Sequence, residues 1–189
     1  DWTARYFEGA FIGTELARLP LATEAQVEEA VATAHASRPV LRRMSAGERS
    51  EKLEALARLM EARKDELAEL IMREAGKPIG YARDEIARSL TTVRTAAAEA
   101  LRFAGEVTPI DFGKGAGKTA FTKRIPAGVV CAITPFNFPL NLVLHKVAPA
   151  MAVGCPVLLK PAKKTPLSAL VLGRMIEEIG WPTGGFSVF

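Results

Sequence analysis

The stretch after Gly128 constrains the fold most. Residues 129–134 form a short, nearly continuous apolar run, and residues 156–160 (Pro-Val-Leu-Leu-Lys) form a second. Neither run alternates and neither is long enough for a helix, so both read as strands buried on both faces. Between them, residues 140–153 are helical in composition, with a kink or break expected near Pro149. Residues 167–179 give a second helix, with Leu170, Val171 and Met175 inward and Gly180 at its end. Residues 185–189 open a third strand. The order is β-α-β-α-β. The predicted fold class is therefore α/β, with a wound parallel sheet of Rossmann-like type.

A helical layer precedes this unit. Thr23-Glu24-Ala25-Gln26 reads as a capping box, and Val27, Ala30, Val31 and Ala34 follow it at helical spacing. Ser45-Ala46-Gly47-Glu48 is a second box, ahead of Leu53, Leu56, Ala57 and Met60. A third helix runs over about 64–74 and stops at Gly76. A fourth runs over about 81–103, with Ile86, Leu90, Val93, Ala97 and Leu101 on its inner face. Residues 1–20 read as a β-rich lead-in, with a turn at Phe11-Ile12-Gly13. Three parts result: 1–104 helical, 105–126 a hairpin segment, and 127–189 the wound unit.

The hairpin segment contains Gly113-Lys114-Gly115-Ala116-Gly117-Lys118-Thr119, which invites comparison with a phosphate-binding loop. That motif needs a glycine five positions before Gly117, where this chain has Phe112. It also needs a helix afterwards, whereas residues 119–125 read as a strand or hairpin arm. A hairpin turn fits better.

Composition excludes several classes. The net charge of +4, from 25 Lys+Arg against 21 Asp+Glu, is too small to argue for nucleic acid. The longest apolar candidate for a membrane span, 143–159, is interrupted by His145, Lys146, Pro149, Gly154 and Pro156. The two cysteines, Cys131 and Cys155, are too few for a disulfide framework or a metal site, so no metal is expected. Reduced thiols and the lack of an apolar leader segment point to the cytoplasm. Cys131, among Val129, Val130, Ala132 and Ile133, is expected to be buried and inert. Cys155 falls at the strand end away from ligands. His35 and His145 have no catalytic partner at useful spacing and read as structural or surface residues.

Ligands in wound sheets bind at the carboxyl ends of the strands. Two segments meet that condition: Ile133-Thr134-Pro135-Phe136-Asn137-Phe138-Pro139 and Lys160-Pro161-Ala162-Lys163-Lys164-Thr165-Pro166. Prolines stiffen both. A rigid loop holding one amide suits stabilisation of a developing oxyanion, and Phe136 and Phe138 would keep water from Asn137. Equally, Asn137 could simply cap the following helix. The pattern alone leaves both roles open.

These segments resemble the aldehyde dehydrogenase superfamily. The resemblance is carried by Pro126-Ala127-Gly128-Val129-Val130, by 134–140 (Thr-Pro-Phe-Asn-Phe-Pro-Leu), by Lys146-Val147-Ala148-Pro149-Ala150, and by Lys160-Pro161, in the family's order and spacing. The style is closest to the semialdehyde, lactaldehyde and glyceraldehyde types. The resemblance implies oxidation of an aldehyde to a carboxylic acid with NAD or NADP, through a thiohemiacetal on a cysteine. Asn137 then matches the asparagine that holds the oxyanion. Ile133, Thr134, Pro135 and Phe136 match the segment bordering the nicotinamide ribose. Lys146 matches a lysine of positioning or proton relay, though a surface lysine is an equal reading. Lys160 matches the lysine on the adenosine ribose, with Ala162 and Lys163 beyond it.

Two departures matter. Phe136 stands where the family commonly has Trp. Lys163 stands where many NAD-preferring members have a glutamate on the ribose hydroxyls. A lysine there attracts a 2′-phosphate, worth roughly 1 kcal/mol at a partly exposed site, so NADP is expected to be accepted and preferred. The resemblance places the nucleophilic cysteine, the general-base glutamate and the glycine-rich cofactor turn beyond Phe189. The chain is thus expected to be a piece of a longer enzyme and inactive alone. It also implies that the hairpin arm pairs subunits in a dimer or tetramer. Two alternatives stay open: an acyl-phosphate or acyl-CoA reductase on the same fold, and a non-catalytic dinucleotide-binding fragment.

Overall fold

The structure is a computed structural model that describes residues 4–8 and 15–189. Strands β1 (Ala4–Glu8) and β2 (Glu15–Pro20) pair antiparallel, as a β-rich lead-in should. The turn expected at Phe11-Ile12-Gly13 lies outside the described residues.

Four helices follow: α1 (Glu24–Arg43), α2 (Ala46–Ala62), α3 (Lys64–Ala75) and α4 (Ile79–Arg102). Both capping boxes form. The Thr23 hydroxyl accepts from the Gln26 N–H and the Gln26 side chain accepts from the Thr23 N–H; Ser45 and Glu48 do the same. Helix α3 stops at Gly76, whose φ of 67° is the left-handed conformation that glycine adopts without strain. Leu53, Leu56, Ala57 and Met60 of α2 are fully buried, as their spacing predicts.

The inner faces of α1 and α4 differ in part from the sequence reading. Val31 is 46% exposed; α1 buries Ala34, as its spacing predicts, together with Ser37 and Leu41. Ile86, Leu90, Val93 and Ala97 of α4 are buried, but Leu101 is 61% exposed because the last turn runs past the packed layer. Two polar residues, Glu85 and Ser89, join the buried stripe.

A hairpin of β3 (Val107–Pro109) and β4 (Thr119–Phe121) comes next, closed by a 3₁₀ turn at Gly113–Gly115. No helix follows that turn, in keeping with the hairpin reading. The wound unit is β5 (Val130–Ile133), α5 (Asn141–Ala152), β6 (Val157–Lys160), α6 (Leu167–Glu178) and β7 (Phe186–Val188). Its strands are parallel in the order β5-β6-β7, with Val130 opposite Val157 and Val157 opposite Phe186.

Register explains what each face buries. Val130, Ala132, Val157, Leu159, Phe186 and Val188 share the core with α5, α6 and the helical layer. Paired residues Cys131, Leu158 and Ser187 point the other way. Helix α1 packs against β6 and β7 there, which buries Leu158. It leaves the β5 margin open, so Cys131 is exposed and Ile133 is 63% exposed. The expectation of a β5 strand and a Cys131 buried on both faces is therefore wrong. Coverage by α1 is a tertiary property that the apolar run does not encode. Cys155 is buried, as expected.

Helix α5 continues through Pro149, so the break, one of the two expected outcomes, does not occur. Proline removes the N–H that would bond the His145 carbonyl, but His145 and Pro149 both lie on the exposed side, where water meets that carbonyl. On α6, Met175 is buried as predicted, but Leu170 and Val171 are half-buried and Ala169, Leu172 and Ile176 carry the packing.

Neither α5 nor α6 caps its own start with a side chain. The helical layer supplies the partners for both ends. Glu85 of α4 accepts from the N–H groups of Leu140 and Asn141 at the start of α5; Arg49 of α2 donates to the Ala152 carbonyl at its end. Glu74 of α3 accepts from Leu167 and Ser168 at the start of α6; Lys52 of α2 donates to the Ile179 carbonyl just past its end. Anions thus meet both positive helix ends and cations both negative ends, each contact worth about 0.3–2 kcal/mol.

Candidate functional site

The two proline-rich loops leave the carboxyl ends of neighbouring strands, so the parallel register puts them side by side. The ladder runs one residue past β5, where the Thr134 N–H donates to the Lys160 carbonyl at 3.3 Å. The loops are also bonded directly. The Thr165 hydroxyl donates to the Phe136 carbonyl at 3.4 Å, and the Thr165 N–H donates to the Ala162 carbonyl at 3.1 Å. The Lys164 ammonium lies 5.1 Å from the centre of the Phe136 ring. Ile133, Thr134, Phe136, Lys160 and Ala162 are thereby gathered at one edge of the sheet.

The far side of the first loop is held by the helical layer. The Phe138 ring has the Lys77 ammonium 3.9 Å from its centre and the Arg88 guanidinium at 4.6 Å. The Phe138 carbonyl accepts from the Leu142 N–H at 3.1 Å. Pro139 and Leu140 are buried. Lys77 closes the set with a 2.5 Å ion pair to Glu85, whose side chain is wholly buried.

Asn137 sits between these two anchored flanks with its side chain exposed. The alternative that it caps the following helix finds no support in the geometry: α5 begins four residues later, and Glu85 fills the capping role. The Asn137 amide is left uncommitted at the top of the sheet. Pro135 and Phe136 are exposed beside it.

Lys160 ends β6 half-buried, Ala162 is half-buried and Lys163 is exposed. Neither loop contains a carboxylate, so the edge carries Lys160, Lys163 and Lys164 without local opposition. Thr134 adds a buried hydroxyl oxygen with no hydrogen-bond partner. Lys146, by contrast, lies exposed on α5 and makes no hydrogen bond or ion pair with either loop. A groove between α4 and α5, lined by Thr92, Thr95, Phe103, His145 and Pro149 among others, includes no residue of either loop. No group of three or more His, Cys, Asp or Glu suited to a metal ion occurs among the described residues, and no helix among them is long and apolar enough to cross a membrane.

Sequence reasoning missed Glu74, Glu85, Lys77 and Thr165. A signal existed for the two glutamates, because each lies within the apolar stripe of its helix: Glu74 three residues after Ile71, and Glu85 three after Ala82. A carboxylate at a core position needs buried donors. Burial pushes the Glu74 carboxyl above the ordinary glutamate value, and its bonds to Ser168 and Leu167 offset only part of that push.

The chain is similar to known proteins in sequence and in fold. A sequence model described as the aldehyde dehydrogenase family matches residues 9–189. A 3-sulfolactaldehyde dehydrogenase of Priestia aryabhattai is 43% identical over 173 residues, covering 91% of this chain and 36% of that protein. The crystal structure of aldehyde dehydrogenase 21 from Physcomitrella patens, in complex with the reaction product succinate, superimposes with a TM-score of 0.97 at 40% identity, over 100% of this chain and 40% of that one. A glyceraldehyde-3-phosphate dehydrogenase of Methanocaldococcus jannaschii complexed with NADP gives 0.91 at 34% identity, over 97% of this chain and 40% of that one. The chain spans little more than a third of the length of the curated relatives it matches. With the family match running from residue 9 to residue 189, the chain belongs to the aldehyde dehydrogenase family.

Proposed function

We propose that this chain is the oxyanion-holding and cofactor-holding portion of an enzyme that oxidises an aldehyde to a carboxylic acid with a nicotinamide dinucleotide. The observation that carries the proposal is the uncommitted Asn137 amide, fixed between two anchored flanks at the ligand edge of a wound sheet. An amide N–H aimed where negative charge develops on the carbonyl oxygen stabilises the tetrahedral intermediate, and such a donor is worth about 10²–10³ in kcat. Phe136, beside it, limits water at the reacting centre. The nucleophilic thiol belongs to the remainder of the polypeptide; Cys131 lies within β5 on the face opposite the core, and Cys155 is buried just before β6.

The residues fit a dinucleotide. Lysines at the end of β6 and just after it, with no carboxylate in either loop, suit a polyanion. The orphaned Thr134 hydroxyl leaves a polar group for a ligand to meet. Ile133, Thr134, Pro135 and Phe136 would border the nicotinamide ribose, and Lys160, Ala162 and Lys163 the adenosine ribose. When bound, the dinucleotide supplies the hydride acceptor. Lys163, exposed and in no ion pair with a carboxylate among the described residues, favours the 2′-phosphate of NADP over NAD. Lys146 belongs to α5, outside the two loops. Aldehydes bearing an anionic group match the relatives named above. A dimer or tetramer formed through the β3–β4 hairpin is supported by the exposure of Val107, Phe112 and Phe121. A cytoplasmic location goes with the two free thiols.

The test is Asn137→Ala in the full-length protein, followed by formation of reduced nicotinamide. A fall in kcat of about 10²–10³ with an unchanged KM for the cofactor is expected. A variant within twofold of wild type would overturn the assignment.

A further inference from the structure

We infer that Glu85, buried in α4 and remote in sequence from both loops, is a positioning residue for the Asn137 amide. This rests on the oxyanion role proposed above. Two residues separate Asn137 from Leu140, the first point at which Glu85 grips the chain, and all three of Phe138, Pro139 and Leu140 are immobilised. Phe138 is held between Lys77 and Arg88. Pro139 is buried with a fixed φ. Leu140 is buried, and its N–H donates to Glu85 Oε1 at 3.0 Å. The same oxygen accepts from the Asn141 N–H at 3.1 Å, while Glu85 Oε2 takes the Lys77 ammonium at 2.5 Å.

One carboxylate therefore does two things at once. It fixes the backbone just after Asn137, and it orients the cation that presses on Phe138. On the other flank the loop is tied through Thr134 and Thr165, so the position of the amide relative to the sheet depends on both ends. An oxyanion donor acts over a narrow range, about 2.7–3.1 Å, and a 1 Å misplacement costs on the order of 10²-fold. Shifting the Glu85 anchor displaces the amide along that steep part of the curve. Lys160 and Lys163, which belong to the second loop, are not held by Glu85.

Glu85→Gln tests the inference in the full-length protein. Glutamine keeps an acceptor oxygen for the two N–H groups, but turns an amide N–H₂ toward the Lys77 ammonium. The expected result is a kcat lowered about 10–100-fold with the KM for NADP held within about twofold and faster hydrogen exchange over residues 137–142. In the Asn137→Ala background the same change should cost nothing further, because the donor it positions is gone. A purely structural defect would lower activity equally in both backgrounds. A Glu85→Gln kcat within twofold of wild type, or a loss that multiplies onto Asn137→Ala, overturns the inference alone. Absence of aldehyde turnover in the wild-type protein overturns the functional reading and this inference with it.

Discussion

Replacing Glu74 tests how the helical layer holds the wound unit. Glu74 is 8% exposed and receives the Leu167 N–H at 2.7 Å, the Ser168 N–H at 3.0 Å and the Ser168 hydroxyl. Ser168 is fully buried, so Glu74→Ala leaves two of its donors without water as a substitute, at about 1–3 kcal/mol each. Leu167 is half-buried and its N–H can be hydrated. Relief of a buried carboxylate offsets part of the loss. The balance is a destabilisation of about 2–4 kcal/mol at neutral pH. Glu74→Gln keeps the shape and one acceptor, so it separates charge from packing. Because burial raises the folded-state value of this carboxyl above its unfolded one, the folded chain binds the proton more tightly. The stabilisation that follows is complete below the ordinary glutamate range and is lost as pH rises through the elevated value. Wild type should therefore lose stability relative to Glu74→Gln as pH climbs from about 4 towards neutrality. Urea unfolding at several pH values, with comparable m-values, measures both effects. A Glu74→Ala loss below about 0.5 kcal/mol, or a wild-type-to-Gln difference that is flat with pH, would refute the account.

Two other substitutions probe the ligand edge and the α1 contact. Lys163→Glu reverses a charge at the position assigned to the 2′-phosphate. It should move the NADP-to-NAD ratio of kcat/KM by roughly 5–30-fold toward NAD, and paired titrations showing no change would remove Lys163 from cofactor selection. Gly184→Ala combines a φ of 77° with a new Cβ only 2.8 Å from the Thr33 carbonyl oxygen. It should cost about 1–3 kcal/mol and loosen the Ser37 hydroxyl bond to the Gly184 carbonyl; an unchanged thermal midpoint would show that α1 yields without cost.

The sequence made legible what local chemistry decides. Thr23 with Gln26, Ser45 with Glu48, and Gly76 mark helix ends because each supplies a backbone partner or conformation within four residues of its target. The order of strands and helices after Gly128 was legible for a similar reason: short apolar runs between helical stretches permit few topologies. The loop bearing Asn137 announced itself through Pro135 and Pro139. Features decided across the fold were not legible. Whether Cys131 is covered depends on how far α1 reaches over the sheet, which nothing near Cys131 encodes. Whether Pro149 breaks its helix depends on whether the His145 carbonyl faces water, which the local sequence does not decide. Leu101 has the right spacing for its helix, but the packed layer ends before it.

Glu74 and Glu85 join these two levels. Helix N-termini at the carboxyl edge of a wound sheet are ordinarily ready-made sites for phosphate, since their free N–H groups and dipole favour an anion. Here both starting turns, of α5 and of α6, are already occupied by carboxylates from the helical layer. A phosphate brought to either would displace a buried glutamate and meet its charge. Under the proposed function, recognition of a polyanion at this edge would fall to loop amides and to Lys160, Lys163 and Lys164. Lys163 and Lys164 are exposed and would bind as screened point charges, so discrimination between cofactors there should weaken as ionic strength rises, whereas the capping of α5 and α6, buried and short-ranged, should not. A salt titration that leaves the NADP-to-NAD ratio unchanged while unfolding α6 would invert that division of labour.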